Sequence, residues 1–375
     1  MAAGHHAAGP RPAAGAAPGG TEDRRVERRK ALLRWVPPPR KRARALIPFA
    51  IGLAAIVALI LVVNPQQFGS EARRFNVLAI PFVVALSLSY YLVQGVRWHF
   101  LLRAAGVRLA MGDTVLLNIA GQSTGLLPLG ELTRAVLVAE VGEAELGAVV
   151  ATITVQELIY TVFMIAAAIP GSFEHRAWGG AVVAALLFTV IVFAMLTVPR
   201  VFRIVRSVVR HIPVLRRFGP DVDALRRETV VLLRRPDTYL WSVLSLFGVL
   251  IAITLFWLVV RSIDPHLLTW PEAAFVYAVS HIAGAVSLLP GGLGAYEASI
   301  AGLLVASGAS FQVGATIAVL HRTADKGIAT AFGMVAYLVA RRRHHFTGFH
   351  LFRRPPAPEP EPAAANPAGG TPSQC

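Results

Sequence analysis

Cysteine is all but missing: the single Cys375 stands at the last of 375 positions. A disulfide framework or a thiolate metal site within one chain therefore has no second partner. Charge is scarce as well, at 15% of residues, where ordinary soluble domains carry about 25%. Acid is scarcest, with 21 Asp and Glu against 36 Lys and Arg. His99, His281 and His321 are scattered singly and no His/Asp/Glu cluster has ligand spacing, so no metal site and no cofactor are expected. Ser287 and Ser299 lack a companion base nearby in sequence, which leaves nucleophilic catalysis without support and the chain without a sign of being an enzyme.

What fills the chain is apolar sequence, 55% of it. Ala45 to Val63, Val77 to Val96, Gly147 to Ile169, Trp178 to Val198, Tyr239 to Val260 and Gln312 to Ala340 each approach or exceed the roughly 20 residues that cross a bilayer. One all-α, multi-pass membrane domain over residues 45–343 follows. Its flanks are a basic tail, 1–44, and a Pro/Ala-rich tail, 344–375, both expected to be disordered. A net charge of +15 raises nucleic acid as a partner, but the basic residues concentrate beside the apolar runs rather than in a domain of their own. Positive-inside bias accounts for that placement, and nucleic-acid binding is not expected.

Lys and Arg set the orientation. Arg24 to Arg44, the second span's flank at Arg97, Arg103 and Arg108, the linker 200–238 and Arg341 to His345 all read as cytoplasmic, which puts both termini inside. Asn64 to Arg74 and Pro170 to Ala177 then become outer loops.

Two stretches interrupt the apolar pattern. Ile119-Ala120-Gly121, followed by Leu126-Leu127-Pro128-Leu129-Gly130, parallels Ile282-Ala283-Gly284, followed by Leu288-Leu289-Pro290-Gly291-Gly292. Proline removes a backbone donor and glycine loosens a helix, so such breaks survive at membrane depth only where buried in protein or lining a cavity. Paired breaks in corresponding positions of two halves point to a transporter's binding site. Counting the spans gives an inverted-topology repeat, about 45–169 and 178–340, with six full spans and two re-entrant hairpins. Eight full spans is the competing count.

A hairpin broken at Pro-x-Gly sets the start of its second half-helix near the membrane interior, where free N–H groups and the helix dipole favour an anion. Arg134 lies one turn beyond Gly130 and suits a phosphate or carboxylate; it alternatively pairs with Glu131 or another acid. Glu297 falls at nearly the same place after Pro290. The halves thus offer opposite charges, which either face one cavity and trade partners or form a static pair. Glu157 lies too deep in its span to snorkel and requires a partner or water. Arg322, Asp325 and Lys326 sit at helical spacing on the last span, as neutralising charges or as substrate contacts.

With these residues in view, the chain resembles the lysylphosphatidylglycerol synthase transmembrane-region family, also called flippase-like membrane proteins, from about Ala45 to Arg343. The likeness rests on Pro128-x-Gly130-Glu131-x-x-Arg134 and on Pro290-Gly291-Gly292-x-Gly294-x-x-Glu297, with Arg322 following. It implies a bacterial-type plasma-membrane protein that moves or handles an amphiphile, such as an anionic phospholipid or a polyprenyl- or sugar-linked lipid. Bifunctional members carry a soluble aminoacyl-transferase domain after the membrane part. This chain stops about thirty residues after its last span, and aminoacylation is not expected. Where the family often reads Glu-Arg after the first hairpin, this chain has Gln156-Glu157, so a family role does not pass to Glu157 directly.

The leading expectation is a flippase-like transporter whose substrate contacts are Pro128, Gly130, Glu131, Arg134, Glu157, Pro290, Gly291, Gly292, Gly294, Glu297, Arg322 and Asp325. The others are a membrane enzyme using a buried carboxylate, and a non-transporting subunit of envelope assembly. Partners expected beyond lipid are a second copy of the chain or an envelope-biosynthesis protein.

Overall fold

The structure is a computed structural model that describes residues 65–125, 130–173, 179–203, 207, 219–287 and 290–344. The two tails and the first apolar run, Ala45 to Val63, lie outside the described residues. Among the described residues there is no strand.

The first half begins with a short helix, α1 (Pro65–Arg73), where an outer loop is expected from sequence; it packs against a helix of the second half, α11, defined below. Helix α2 (Ile80–Ala104) follows, with Pro81 in its first turn, where the missing N–H costs nothing. Gly106, at φ +82°, lets the chain turn out of it. Next come α3 (Met111–Gly121), a 3₁₀ turn over Gln122–Thr124, and α4 (Gly130–Val141). At 11 and 12 residues, α3 and α4 are each too short to cross a bilayer. Helix α5 (Leu146–Ser172) is long, and it runs through Pro170 rather than stopping there. Helix α6 (Gly179–Thr197) opens the second half.

The linker is not all loop. Helix α7 (Gly219–Leu233) lies against α5 and buries Thr229, Leu232 and Leu233. The basic linker is thus in part a packed helix.

The second half has the same order: α8 (Pro236–Arg261), α9 (Trp270–Val286), a 3₁₀ turn over Pro290–Gly292, α10 (Ala295–Ala306), then α11 (Phe311–Arg322) and α12 (Ile328–His344). A π turn, Thr323–Gly327, joins α11 to α12. Caps fix the starts: Thr269 accepts from the Glu272 amide, Glu272 Oε2 accepts from Thr269, and Ser310 caps α11. By length and composition Val77–Ala104, Leu146–Ser172 and Pro236–Arg261 suffice to cross a membrane, with shorter apolar helices at Gly179–Met195 and Ala295–Ala306. The described residues are all-α, and their long apolar helices are those of a multi-pass membrane protein.

Packing crosses between the halves. Helix α2 lies against α8, α5 against α9, and α12 against α3. Close approaches rest on glycine: a Cβ at Gly171 would sit 2.0 Å from Pro271 O, and one at Gly333 2.4 Å from Ser123 N. At its far end α12 is tied down by Asp113, which accepts from Arg343 at 3.1 Å and from His344 at 3.2 Å.

Candidate functional site

The two breaks are built alike. Gly121 ends α3, and a Cβ there would fall 2.4 Å from Arg134 Cβ, so this glycine lets α4 press Arg134 against α3. Gly284, near the end of α9, faces Gly292 and Tyr296 in the same way, with its nearest approach at 3.3 Å. After it the chain turns through Gly291 (φ +63°), Gly292 (φ +66°) and Gly294 (φ +84°), left-handed positions that side chains resist. Pro128 lies outside the described residues, as do the side chains of Glu131 and Pro290. Gly130 opens α4.

Arg134 is 1% exposed. Its Nη1 donates to Asn118 Oδ1 at 3.2 Å and its Nη2 to Glu157 Oε1 at 3.3 Å, and the guanidinium stands 5.3 Å from the Trp98 ring. Asn118 in turn donates to Tyr91 O and Gln94 Oε1, which ties α3 to α2 around the arginine. Among the described side chains Glu157 is an acid that Arg134 meets, and at 45% side-chain exposure it forms the open end of that pair.

Glu297 is 1% exposed and is held twice. Its Oε2 accepts from the Gly294 amide at 2.7 Å, and its Oε1 lies 3.4 Å from Arg322 Nε. Arg322 Nη2 donates to Gly291 O at 2.9 Å. Two expectations change here. The N-terminus of α10 holds the chain's own carboxylate rather than an open anion site, because Glu297 falls one turn inside a glycine-capped helix and reaches back. And Glu297 pairs with Arg322 in its own half, not with Arg134 across the halves.

Asp325 and Lys326 do not follow α-helical spacing from Arg322, because the π turn begins at Thr323. Asp325 accepts from the Tyr91 hydroxyl at 3.0 Å, which joins the last helix run to α2. Between the two ion pairs lies a set of polar rings that sequence reading did not single out. Tyr160 and Tyr277 share a hydroxyl hydrogen bond of 3.1 Å, and the Tyr296 hydroxyl meets His321 Nδ1 at 3.3 Å. Among the described residues, no three His, Cys, Asp or Glu gather as metal ligands.

Arg97 is the largest departure. Sequence reading sets it at the cytoplasmic flank; it is 4% exposed, seven residues inside the end of α2. Its Nη1 donates to Ser245 Oγ and its Nη2 to Gln156 O at 2.9 Å. With Tyr90, Gln94, Glu157, Tyr160 and Gly248 it lines a small cavity. Tyr90, Gln94 and Arg97 stand at i, i+4 and i+7, so the signal was a polar stripe on one helical face.

The model of the lysylphosphatidylglycerol synthase TM region matches residues 48–346, and the chain belongs to that family. A comparison with curated proteins found no match. The family is one of membrane proteins of lipid biosynthesis or handling.

Proposed function

We propose that this member of the lysylphosphatidylglycerol synthase TM-region family is a flippase-like transporter of an anionic or sugar-linked amphiphile across the plasma membrane. It is read as acting by binding and movement, not by catalysis. One observation carries the reading: Arg134, fully buried, is paired to a carboxylate that is itself half-exposed. A headgroup phosphate arriving at Glu157 meets a positive charge already desolvated, and it takes the place of Glu157 on a two-pronged guanidinium.

The packing supports a mechanism. The halves share one order of elements, and α5 and α12 each lie against the broken hairpin of the other half, while α2 and α8 lie against each other. That is the exchange expected of an inverted repeat. Rocking one half against the other would move the headgroup past the paired charges while acyl or prenyl chains stay in lipid.

The test is headgroup accessibility of fluorescent phospholipids in proteoliposomes. Wild-type protein accelerates crossing, and Arg134→Ala at matched incorporation abolishes it. No acceleration across anionic phospholipids and polyprenyl phosphates would sink the transport reading.

A further inference from the structure

Arg97 has no carboxylate within ion-pair distance among the described residues. Its two bonded nitrogens spend themselves on a hydroxyl and a carbonyl, and its Nε is buried without a hydrogen bond. A guanidinium desolvated to this degree and hydrogen-bonded only to neutral groups is costly, and in a membrane protein such a charge is a candidate for receiving an anion. The cavity beside it has about 10 Å³ of free space, room for about one water. Of its polar walls Glu157 is the one at 45% exposure, so its departure opens the cavity outward.

The same helix face continues into an apolar groove of about 490 Å³, lined by Phe82, Ala85, Leu86 and Ser89 of α2 and by Thr254 and Trp257 of α8. Groove and cavity lie along one seam between α2 and α8, and Ser89 of the groove adjoins Tyr90 of the cavity. From Phe82 to Arg97 the helix rises about 22 Å. A buried cation at one end of an apolar trough has the layout of an amphiphile.

We propose that the α2–α8 seam is a lipid site, in which Arg97 receives the phosphate of a phospholipid headgroup as Glu157 swings aside and the Phe82–Trp257 groove holds an acyl chain. This deepens the lipid-handling reading and rests on it. Arg97 then becomes a specificity-determining contact, since it separates phosphate-bearing lipids from neutral lipids with the same chains.

The experiment measures binding to the full-length protein in detergent, with radiolabelled phosphatidylglycerol, diacylglycerol of the same chains, and inorganic phosphate as probes. Phosphatidylglycerol binds at least tenfold more tightly than diacylglycerol, and Arg97→Gln removes that preference. Because Arg97 also bridges helices, a second variant guards against misfolding: Ser89→Trp fills the groove, weakens phosphatidylglycerol and leaves inorganic phosphate unaffected. Equal binding of the two lipids, or wild-type preference in Arg97→Gln, overturns the site. So does phosphate binding to which the groove variant and the chains make no difference, which would mark a free-phosphate site instead. Lipid crossing, measured on the same preparations, separates the two claims. Binding without crossing sinks the transport reading alone, and crossing without dependence on Arg97 sinks this site alone.

Discussion

Glu297 and Arg322, 3.4 Å apart, repeat the relationship between Arg134 and Glu157 with the signs exchanged. In each half the first member sits in the opening turns of the hairpin's second helix and the second on the helix run that follows. The two pairs keep the position and swap the charge, so that each pair is neutral by itself. They are unequal in one respect: the second pair is closed at both ends, whereas the first opens at Glu157.

The closed pair should behave as a buried one. Glu297→Gln leaves Arg322 facing no charge, and Arg322→Gln leaves the carboxylate uncompensated. Each should lower stability by about 3–5 kcal/mol. The double variant should lose less than the sum of the two, because neither charge is then left alone. Thermal unfolding of the four proteins in one detergent, combined as a double-mutant cycle, measures the coupling. Additive losses would show that the two side chains act separately.

The open pair should reveal itself in function rather than in stability. Arg134→Lys keeps the charge but not the fork that holds Asn118 and Glu157 together. Losing one charged hydrogen bond costs about 1.5–3 kcal/mol, so headgroup crossing should fall roughly 10- to 100-fold. Glu157→Gln keeps a carbonyl acceptor for Arg134 on the half-exposed side, so it should lower the unfolding temperature less than Glu297→Gln does while altering crossing. A Lys variant that transports at the wild-type rate would remove the forked contact from the mechanism.

The glycines rank themselves. At Gly121 a methyl group would meet Arg134 Cβ and backbone, nearest at 2.4 Å; at Gly284 its nearest neighbour is the Tyr296 Cβ at 3.3 Å. Gly121→Ala must part α3 from α4 and should cost about 1–3 kcal/mol. Gly284→Ala asks only for a small shift and should cost less. Melting temperatures in the same detergent test the order, and equal values would mean that the first hairpin yields without resistance.

Sequence showed the breaks because proline and glycine act locally: Gly121, Gly284 and the Pro290–Gly294 stretch all mark helix ends in the structure. It also picked out charged residues that the structure pairs, Arg134, Glu157 and Glu297 among them. Their partners were not legible, since Arg134 to Glu157 and Glu297 to Arg322 depend on how two helices meet, not on spacing in one. Arg97 was misassigned for a related reason. Near the end of an apolar run, charge placement says "flank"; the polar stripe of Tyr90, Gln94 and Arg97 says otherwise, but it acquires a meaning only with Ser245 of α8 across from it. The tyrosine and histidine rings between the pairs come from α5, α9, α10 and α11, and no single stretch of sequence announces such a gathering.

The π turn offers the sharpest test of how the last helix run is used. Ile328 N–H bonds to Thr323 O, five residues back, so the turn carries one residue more than an α-helix needs. That extra residue sets the angle between two anchored pieces. On one side Arg322 reaches Glu297 and Gly291; on the other, α12 packs on α3 and ends on Asp113. Asp325, inside the turn, holds Tyr91. Deleting Thr323, whose side chain is exposed and bonds only its own helix at Val319 O, should restore α spacing. It would then rotate one piece against the other by about 100° and shift it by about 1.5 Å. Both anchors cannot survive that rotation, so the deletion should lower the melting temperature and abolish lipid crossing, whereas Thr323→Ala should leave both near wild type. If the deletion variant melts and transports as the parent does, the turn is a local irregularity, and the contacts of Arg322 and Asp325 are not what fixes the register of the last helix run.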